Sequence, residues 1–355
     1  MKNSAKCRFK YSLELSFKIE KIKKLKKATS LGGVIFNSPL ILAPMSQITS
    51  APFRLLMEDL GSGGSISELT SSNGIFYNSA RTKDMLNVDP REECVGIQLF
   101  GEKSHNLMTA ALLAQEKGAK FIDINMGCPV KKVVSKGSGS ALIRKPLELY
   151  DFLSPIKKAL IIPLSIKIRL GHSEKEITAS EVVKVANDIG IEFVTIHGRT
   201  TVQLYQGKAN WELIENIAKN SFIPIIGNGD LNTKESIADR MKITNCKALM
   251  IGRGACKNPF IFLEGLAEIN NMTDKFTFSG SDMLEVIDAF SYYSDELVSE
   301  EKIKIIQLKK FIVGYTSSFP YASELRNKIF ALKKIDEIKS IAKNYFSSLP
   351  VLNTK

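Results

Sequence analysis

Cys128 stands in "INMGCPVKKVVSKGSGSAL" (124–142), between a strand-like run and a loop of glycines, serines and lysines. The other cysteines are 7, 94, 246 and 256, and no two have C-x-x-C spacing. The three histidines, 105, 172 and 197, are dispersed. Neither a structural zinc site nor a disulfide framework is expected from that pattern. Most lone cysteines are small buried hydrophobes, and Cys94 and Cys246 are read that way. Cys128 differs because other chemistry-bearing residues recur at the ends of neighbouring apolar runs. In "SIKIRLG" the residues Ser165, Lys167 and Arg169 share one strand face, and in "TIHGR" so do Thr195, His197 and Arg199. In "FIDINMG" Asp123 and Asn125 share a face. A buried Lys without a partner would cost several kcal/mol, on the order of the penalty for any unpaired buried charge. One such residue alone would suggest an internal ion pair. Several strand ends together point to a bound polar cofactor. Two later runs end in "GNGD" (227–230) and "IGRG" (251–254). Glycine lets the backbone approach a phosphate, and Arg253 adds a charged donor, so the cofactor is expected to be phosphorylated. No G-x-x-x-x-G-K-[ST] segment occurs, which removes support for nucleotide hydrolysis.

Such residues need elements to position them. Eight strand-like runs occur: "LILAPM" (40–45), "GSISEL" (64–69), "VGIQLF" (95–100), "FIDINMG" (121–127), "LSIKIRL" (164–170), "FVTIHGR" (193–199), "IPIIGNGD" (223–230) and "ALMIGRG" (248–254). Helix-like stretches separate most of them, which predicts parallel βα units. The polar residues fall at the C-terminal ends of the runs. That favours a (β/α)8 TIM barrel over a doubly wound sheet. Residues 282–348 show apolar spacing of helical period and predict three or four helices, with Ser281 or Asp282 as an N-cap. The predicted organisation is a basic extension at 1–31, a barrel at 32–275 and an all-helical unit at 280–350.

Charge is uneven along the 355 residues. Residues 1–30 carry ten Lys/Arg against Glu14 and Glu20, which is +8 of the formal +12. Ten more basic residues lie between Lys302 and Lys343, against three acids. Two basic ends suggest a polyanionic partner. No apolar run approaches the roughly 20 residues of a membrane span, and the first residues have no signal-peptide character, so a cytoplasmic protein with reduced thiols is expected.

Taken together, "APMSQITSAPFR" (43–54), "GIQLFG" (96–101), the Cys128 segment, "SIKIRLG", "VTIHGRT" (194–200), "IGNGDL" (226–231), "MIGRGACKNPFIF" (250–262) and "ASELRNKI" (322–329) resemble the tRNA-dihydrouridine synthases, and among them the bacterial B-type branch. The resemblance covers roughly residues 32–335. It implies a barrel that binds FMN, takes NADPH as reductant and reduces the C5–C6 double bond of uridines in tRNA. Carried over by position, Pro44, Met45 and Ser46 would line the flavin and Gln98 would hydrogen-bond its ring. Lys167 would face the N1–C2 edge with His197 nearby. Asn228, Gly229, Asp230, Gly252 and Arg253 would hold ribose and phosphate. Asn125 would hold the uracil, and Cys128 would protonate C5 as general acid. A thiol suits that task because it keeps its proton at neutral pH yet can yield it to a carbanion. Lys131 and Lys132 are expected to face RNA, the glycine-serine loop to act as a lid, and the Lys302–Lys343 helices to grip the backbone, with the N-terminal 30 residues adding nonspecific affinity. Ser50 replaces an aspartate common in the family, and "KKFIVGYTSSFP" lacks the histidine-aromatic pattern of the branch. Two other readings stay open at this stage. One is an FMN-barrel oxidoreductase acting on a small molecule; the other is a catalytically inactive RNA-binding protein.

Overall fold

A computed structural model describes residues 7–273, 276–316 and 319–349. The first six residues of the basic segment, Lys2 and Lys6 among them, lie outside that range, as does Pro350 at the end of the expected helical unit. The eight predicted runs are the eight strands of a closed parallel barrel. They are β1 (Leu40–Leu42), β2 (Ser65–Ile66), β3 (Val95–Phe100), β4 (Phe121–Met126), β5 (Leu164–Arg169), β6 (Phe193–His197), β7 (Ile225–Asn228) and β8 (Ala248–Ile251). Closure comes from β8 pairing with β1, Met250 opposite Ile41. Apolar residues fill both faces of each strand because helices cover the outside and side chains pack the inside.

The barrel interior is divided into two layers by the two-residue strand period. The lower layer is apolar. It contains Ile41, Phe121, Phe193, Ile226, Ala248 and Met250, all fully buried. An antiparallel hairpin, Thr29–Leu31 with Val34–Phe36, closes the floor. Phe36 meets Phe121 at 5.7 Å and Phe193 at 5.9 Å, edge to face, and those two meet at 5.4 Å. Edge-to-face rings at such separations are favourable beyond their area burial. Gly96 on β3 has no side chain because Phe121 fills its place. The upper layer is polar. Strand register sets Gln98 opposite Asp123, Asp123 opposite Ser165, Asn125 opposite Lys167, and His197 opposite Asn228.

Four helices follow the barrel among the described residues: α3 (Gly280–Leu297), α4 (Glu301–Thr316), α5 (Ala322–Ala331) and α6 (Ile335–Ser347). The cap of α3 differs from expectation. Ser279 is the N-cap, and Asp282 sits three residues on and returns a bond to the Ser279 N–H, 2.7 Å, completing a capping box. Ser281 is not the cap, because the chain is already helical from Gly280. Phe290 of α3 stacks on Phe311 of α4 at 4.3 Å, and Phe311 also touches Phe53 of α2 (Ala51–Asp59) at 6.2 Å. The Tyr315 hydroxyl donates to the Ala255 carbonyl, 2.9 Å. The helical unit is thus docked beside β1 and β8.

The basic N-terminal segment is a strap across that junction. It contains the helix α1 (Leu13–Lys23), which buries Leu15, Ile19 and Ile22. Arg8 pairs with Glu58 at 2.8 Å and Asp59 at 2.9 Å on α2. The Tyr293 hydroxyl of α3 donates to the same Asp59, 2.6 Å, and the Phe9 N–H donates to that hydroxyl oxygen, 3.0 Å. Lys18 meets Asp282 at 3.0 Å, and Ser12 donates to Glu285 at 2.7 Å. These cations are paired with carboxylates of the chain itself, so Arg8 and Lys18 fasten the segment to the body of the protein. Removing Arg8 would leave Glu58 and Asp59 buried together. Arg8→Ala is expected to cost about 2 kcal/mol, below the full figure for a buried pair because Arg8 is partly exposed. Thermal unfolding should move down by roughly 3 °C; an unchanged melting curve would show that the strap carries no stability.

Candidate active site

All the site residues expected from sequence lie at the C-terminal rim of the barrel or in the loops just beyond it. Most of them fall into three groups joined by hydrogen bonds. The first joins β3, β4 and Cys128. The Gln98 amide donates to Asp123, 2.7 Å, and Ser165 donates to the other oxygen of that carboxylate, 2.7 Å. The Asn125 amide donates to the Gln98 carbonyl, 2.9 Å. The Asn125 oxygen accepts from the backbone N–H of Cys128 at 2.8 Å and of Gly127 at 3.2 Å. Cys128 therefore sits two residues past β4 on a turn pinned to the barrel wall. Ser140 N–H donates to its carbonyl, 3.0 Å. Gly139 packs against that same carbonyl at φ +62°, where a Cβ would lie 2.8 Å from the oxygen. The expected lid is thus folded in place: Lys131–Val134 is a short helix, Gly139–Arg144 a 3-10 helix, and Ser138 and Ser140 are buried. Lys131 and Lys132 are exposed.

The Cys128 thiol is half-buried. Burial pushes its pKa up, opposed by a hydrogen bond from the Val130 backbone and by the positive field of Arg169. It therefore holds its proton through neutral pH. Cys94 and Cys246 are buried in the core.

The second group joins β5 to β7. Lys167 donates to the Asn228 side-chain oxygen, 3.1 Å, and the Asn228 amide donates to the Met250 carbonyl, 2.7 Å. Burial, with Arg169 nearby, pulls the Lys167 ammonium down to about 8, and Asp123 opposes that shift. The third group is built on Asp230. Its carboxylate takes Arg199 at 2.8 Å and Arg253 at 3.0 Å, and the Ala209 N–H donates to it at 2.7 Å. Those partners hold it below the ordinary carboxylate range although burial opposes them. Gly229 at φ +133° and Asp230 at φ +54° turn the backbone sharply here. A Cβ on Gly229 would strike Ala209 at 2.6 Å and approach the His197 ring at 3.3 Å. His197 is held well below its ordinary value, first by burial and then by Lys167, Arg169, Arg199 and Arg253. It is neutral at pH 7, and its Nε2 accepts from Arg199 at 3.4 Å, since a guanidinium only donates.

Gly252 and Met45 close the rim. A Cβ on Gly252 would lie 3.7 Å from the Met45 sulfur, so the "IGRG" turn and the "APM" turn are in contact. Met45 is fixed by Thr49, whose hydroxyl oxygen accepts from its N–H at 2.6 Å. Pro44 and Ser46 flank it. Ser46 borders a cavity of about 370 Å³ between the barrel and the helical unit, lined also by Phe53, Cys256, Lys310 and Phe311.

Three residues at the rim were not singled out as site residues from the sequence. Arg169 is 2% exposed and donates to the carbonyls of Gly127, Thr200 and Leu204. Arg199 clamps the same loop through Gln206 and Gly207. Both share a strand face with a chosen residue, so alternation was the available signal. Tyr205 had none. Its ring, 58% exposed, lies 5.5 Å from the Arg169 guanidinium and 5.3 Å from that of Arg253.

A family model described as dihydrouridine synthase matches residues 41–349. The chain belongs to the dihydrouridine synthase family. It falls with the bacterial B-type synthases. The tRNA-dihydrouridine synthase B of Proteus vulgaris is 39% identical over 234 residues, 66% of this chain and 72% of that one. The tRNA-dihydrouridine synthase B of Pseudomonas aeruginosa is 38% identical over 66% of this chain and 70% of its own. A "Probable tRNA-dihydrouridine synthase" of Rickettsia prowazekii is 31% identical over 89% of this chain and 97% of its own. Among solved structures, an old yellow enzyme homologue from Zymomonas mobilis superposes with a TM-score of 0.52 at 12% identity, covering 75% of this chain and 96% of that one. That likeness is one of fold, the (β/α)8 barrel. Among the described residues no helix is long and apolar enough to cross a membrane.

The raised thiol has a measurable consequence. Alkylation of Cys128, followed by peptide mass spectrometry, should still be accelerating above pH of about 8.5, the ordinary thiol value. A rate that plateaus below about pH 7 would mark it as a stabilised thiolate instead.

Proposed function

We propose that this synthase reduces the C5–C6 double bond of uridines in tRNA to 5,6-dihydrouridine, with FMN as resident flavin and NADPH as the source of reducing equivalents, in the cytoplasm. The observation that carries the reading is the placement of Cys128. A protonated thiol stands at the barrel rim beside a cluster of cations that has too few anions of its own. Lys167 makes one hydrogen bond and, among the described residues, no ion pair. The buried Thr195 hydroxyl has no partner. A phosphorylated, hydrogen-bonding cofactor fits that surplus. Lys167, Gln98 and His197 would meet its ring system, Pro44, Met45 and Ser46 would line it, and Asn228, Gly229, Asp230, Gly252 and Arg253 would hold its ribose and phosphate.

Reduced FMN, when bound, supplies a hydride to C6 of the pyrimidine. This chain's residues do the rest. Asn125 holds the base. Cys128 gives the thiol proton to C5, and the resulting thiolate regains a proton from solvent. The low exposure of His197 and Asn228 keeps water from the reacting edge. A uridine inside folded tRNA must leave its stack to reach this rim, at a cost of a few kcal/mol, on the order usual for base flipping. Exposed cations on the helical unit then grip the backbone. Arg326 on α5, Lys333 after it and Lys343 on α6 are exposed. Lys309 does a different job: its ammonium hydrogen-bonds the Phe330 and Leu332 carbonyls at the C-terminus of α5.

Two results are expected. Cys128→Ala should stay yellow and release FMN on denaturation, while dihydrouridine formation in unmodified tRNA falls by about a hundredfold or more; full activity would remove the thiol from the chemistry, and a colourless wild-type protein would remove the cofactor. Combined Arg326→Glu, Lys333→Glu and Lys343→Glu should weaken tRNA binding and lower the slope of log affinity against log salt by about two. An unchanged slope would move the RNA-binding face elsewhere.

A further inference from the structure

Asn125 has one hydrogen-bonding valence left for a ligand, and it is a donor. A side-chain amide offers two N–H groups and two lone pairs. Both lone pairs of the Asn125 oxygen face backbone N–H groups, of Gly127 at 3.2 Å and Cys128 at 2.8 Å. One of its N–H groups is taken by Gln98 at 2.9 Å. Amide orientation is ordinarily an assignment, not an observation. Here both ends of the chain of bonds dictate it. Backbone N–H groups can only donate, and at the far end an ionised Asp123 can only accept, from Gln98 at 2.7 Å and Ser165 at 2.7 Å. Reversing either amide would face donor to donor or acceptor to acceptor.

We propose that Asp123 is a positioning residue that, with the Gly127 and Cys128 N–H groups at the other end, sets the hydrogen-bond polarity of the base site: it fixes Gln98 as the acceptor for one Asn125 N–H, so that the other N–H is presented to the ligand and the site takes a ring carbonyl and refuses an exocyclic amine such as that of cytosine. This rests on the pyrimidine reading above and deepens it. Asp123 is fully buried, and the groups facing it are Gln98 from β3 and Ser165 and Lys167 from β5. Burial raises its carboxyl to about 6. It is the acceptor-only anion above that value. Below it, a protonated carboxyl can donate to Gln98 and the polarity is no longer imposed.

The test makes the same chemical exchange at the two ends of the relay in flavin-loaded enzyme. In Asp123→Asn the side chain can donate as well as accept, so Gln98 loses its imposed direction, and kcat/KM for dihydrouridine-free tRNA should fall by about threefold to tenfold with flavin absorbance retained. The acid limb of the wild-type pH profile near 6 should disappear, because the asparagine does not titrate. In Asn125→Asp a carboxylate can donate to neither Gln98 nor the base, and kcat/KM should fall by about tenfold to a hundredfold with flavin absorbance retained. Equal losses in both variants, or an acid limb that survives in Asp123→Asn, would overturn the relay; the second readout decides the matter even where Asn125→Asp fails to fold. Wild-type enzyme that forms no dihydrouridine would instead refute the function.

Discussion

A closed barrel with a polar upper layer must find partners for every group in that layer, and Lys167 is where the chain's own groups run short. Its ammonium meets Asn228 and faces Asp123 across the interior, while Arg169, Arg199 and Arg253 crowd the same rim. Positive charge in a partly desolvated site is costly unless matched. The rim therefore carries a surplus of positive charge. The glycines at 229 and 252 let the rim turns pack closely, and His197 stays neutral, which avoids adding to the surplus. Below the rim the Phe36, Phe121 and Phe193 rings pack the floor edge to face.

The thiol follows the same logic in reverse. A cation beside a cysteine would ordinarily favour thiolate. Arg169 is the cation that acts on Cys128, yet it donates its Nε to the Gly127 carbonyl and its Nη1 to loop carbonyls. Its hydrogen bonds are directed at backbone oxygens, and burial wins at the sulfur. The exposed Lys131 and Lys132 do not reverse that outcome. The site thus keeps an acid beside cations because the cations are oriented elsewhere.

Much of this was legible in the residues. The eight strand runs follow from short apolar stretches with polar ends, and each polar end lands on the rim because strand direction is common to all eight units. What could not be read is contact at long sequence separation. The bond from Arg8 to Glu58 spans fifty positions, and that from Phe9 to Tyr293 spans 284. A basic segment free in solution and a basic segment lying on carboxylates have the same composition, so the docking of the strap was not legible from composition. Lys309 is a second case, since nothing in "LKKFIVGY" says that one of its lysines meets the carbonyls of another helix. The cap at Ser279 was missed by two residues, the usual uncertainty of a helix boundary where several capping residue types stand in a row.

Asp123 shows a different limit. Its place on the inward face was evident from alternation with Asn125, but its role depends on the register of β3 against β4, which sets Gln98 opposite it. A carboxylate alone on a barrel wall would read as a charge to be neutralised. Placed at one end of two amides, it becomes a source of direction, because an amide relay has no polarity of its own and takes it from its termini. Backbone N–H groups at Gly127 and Cys128 supply the other terminus. The same bonds that orient the Asn125 amide therefore also hold the turn that carries the thiol, so the two groups to which the proposed reaction gives base recognition and proton delivery sit on one element rather than on two independent loops.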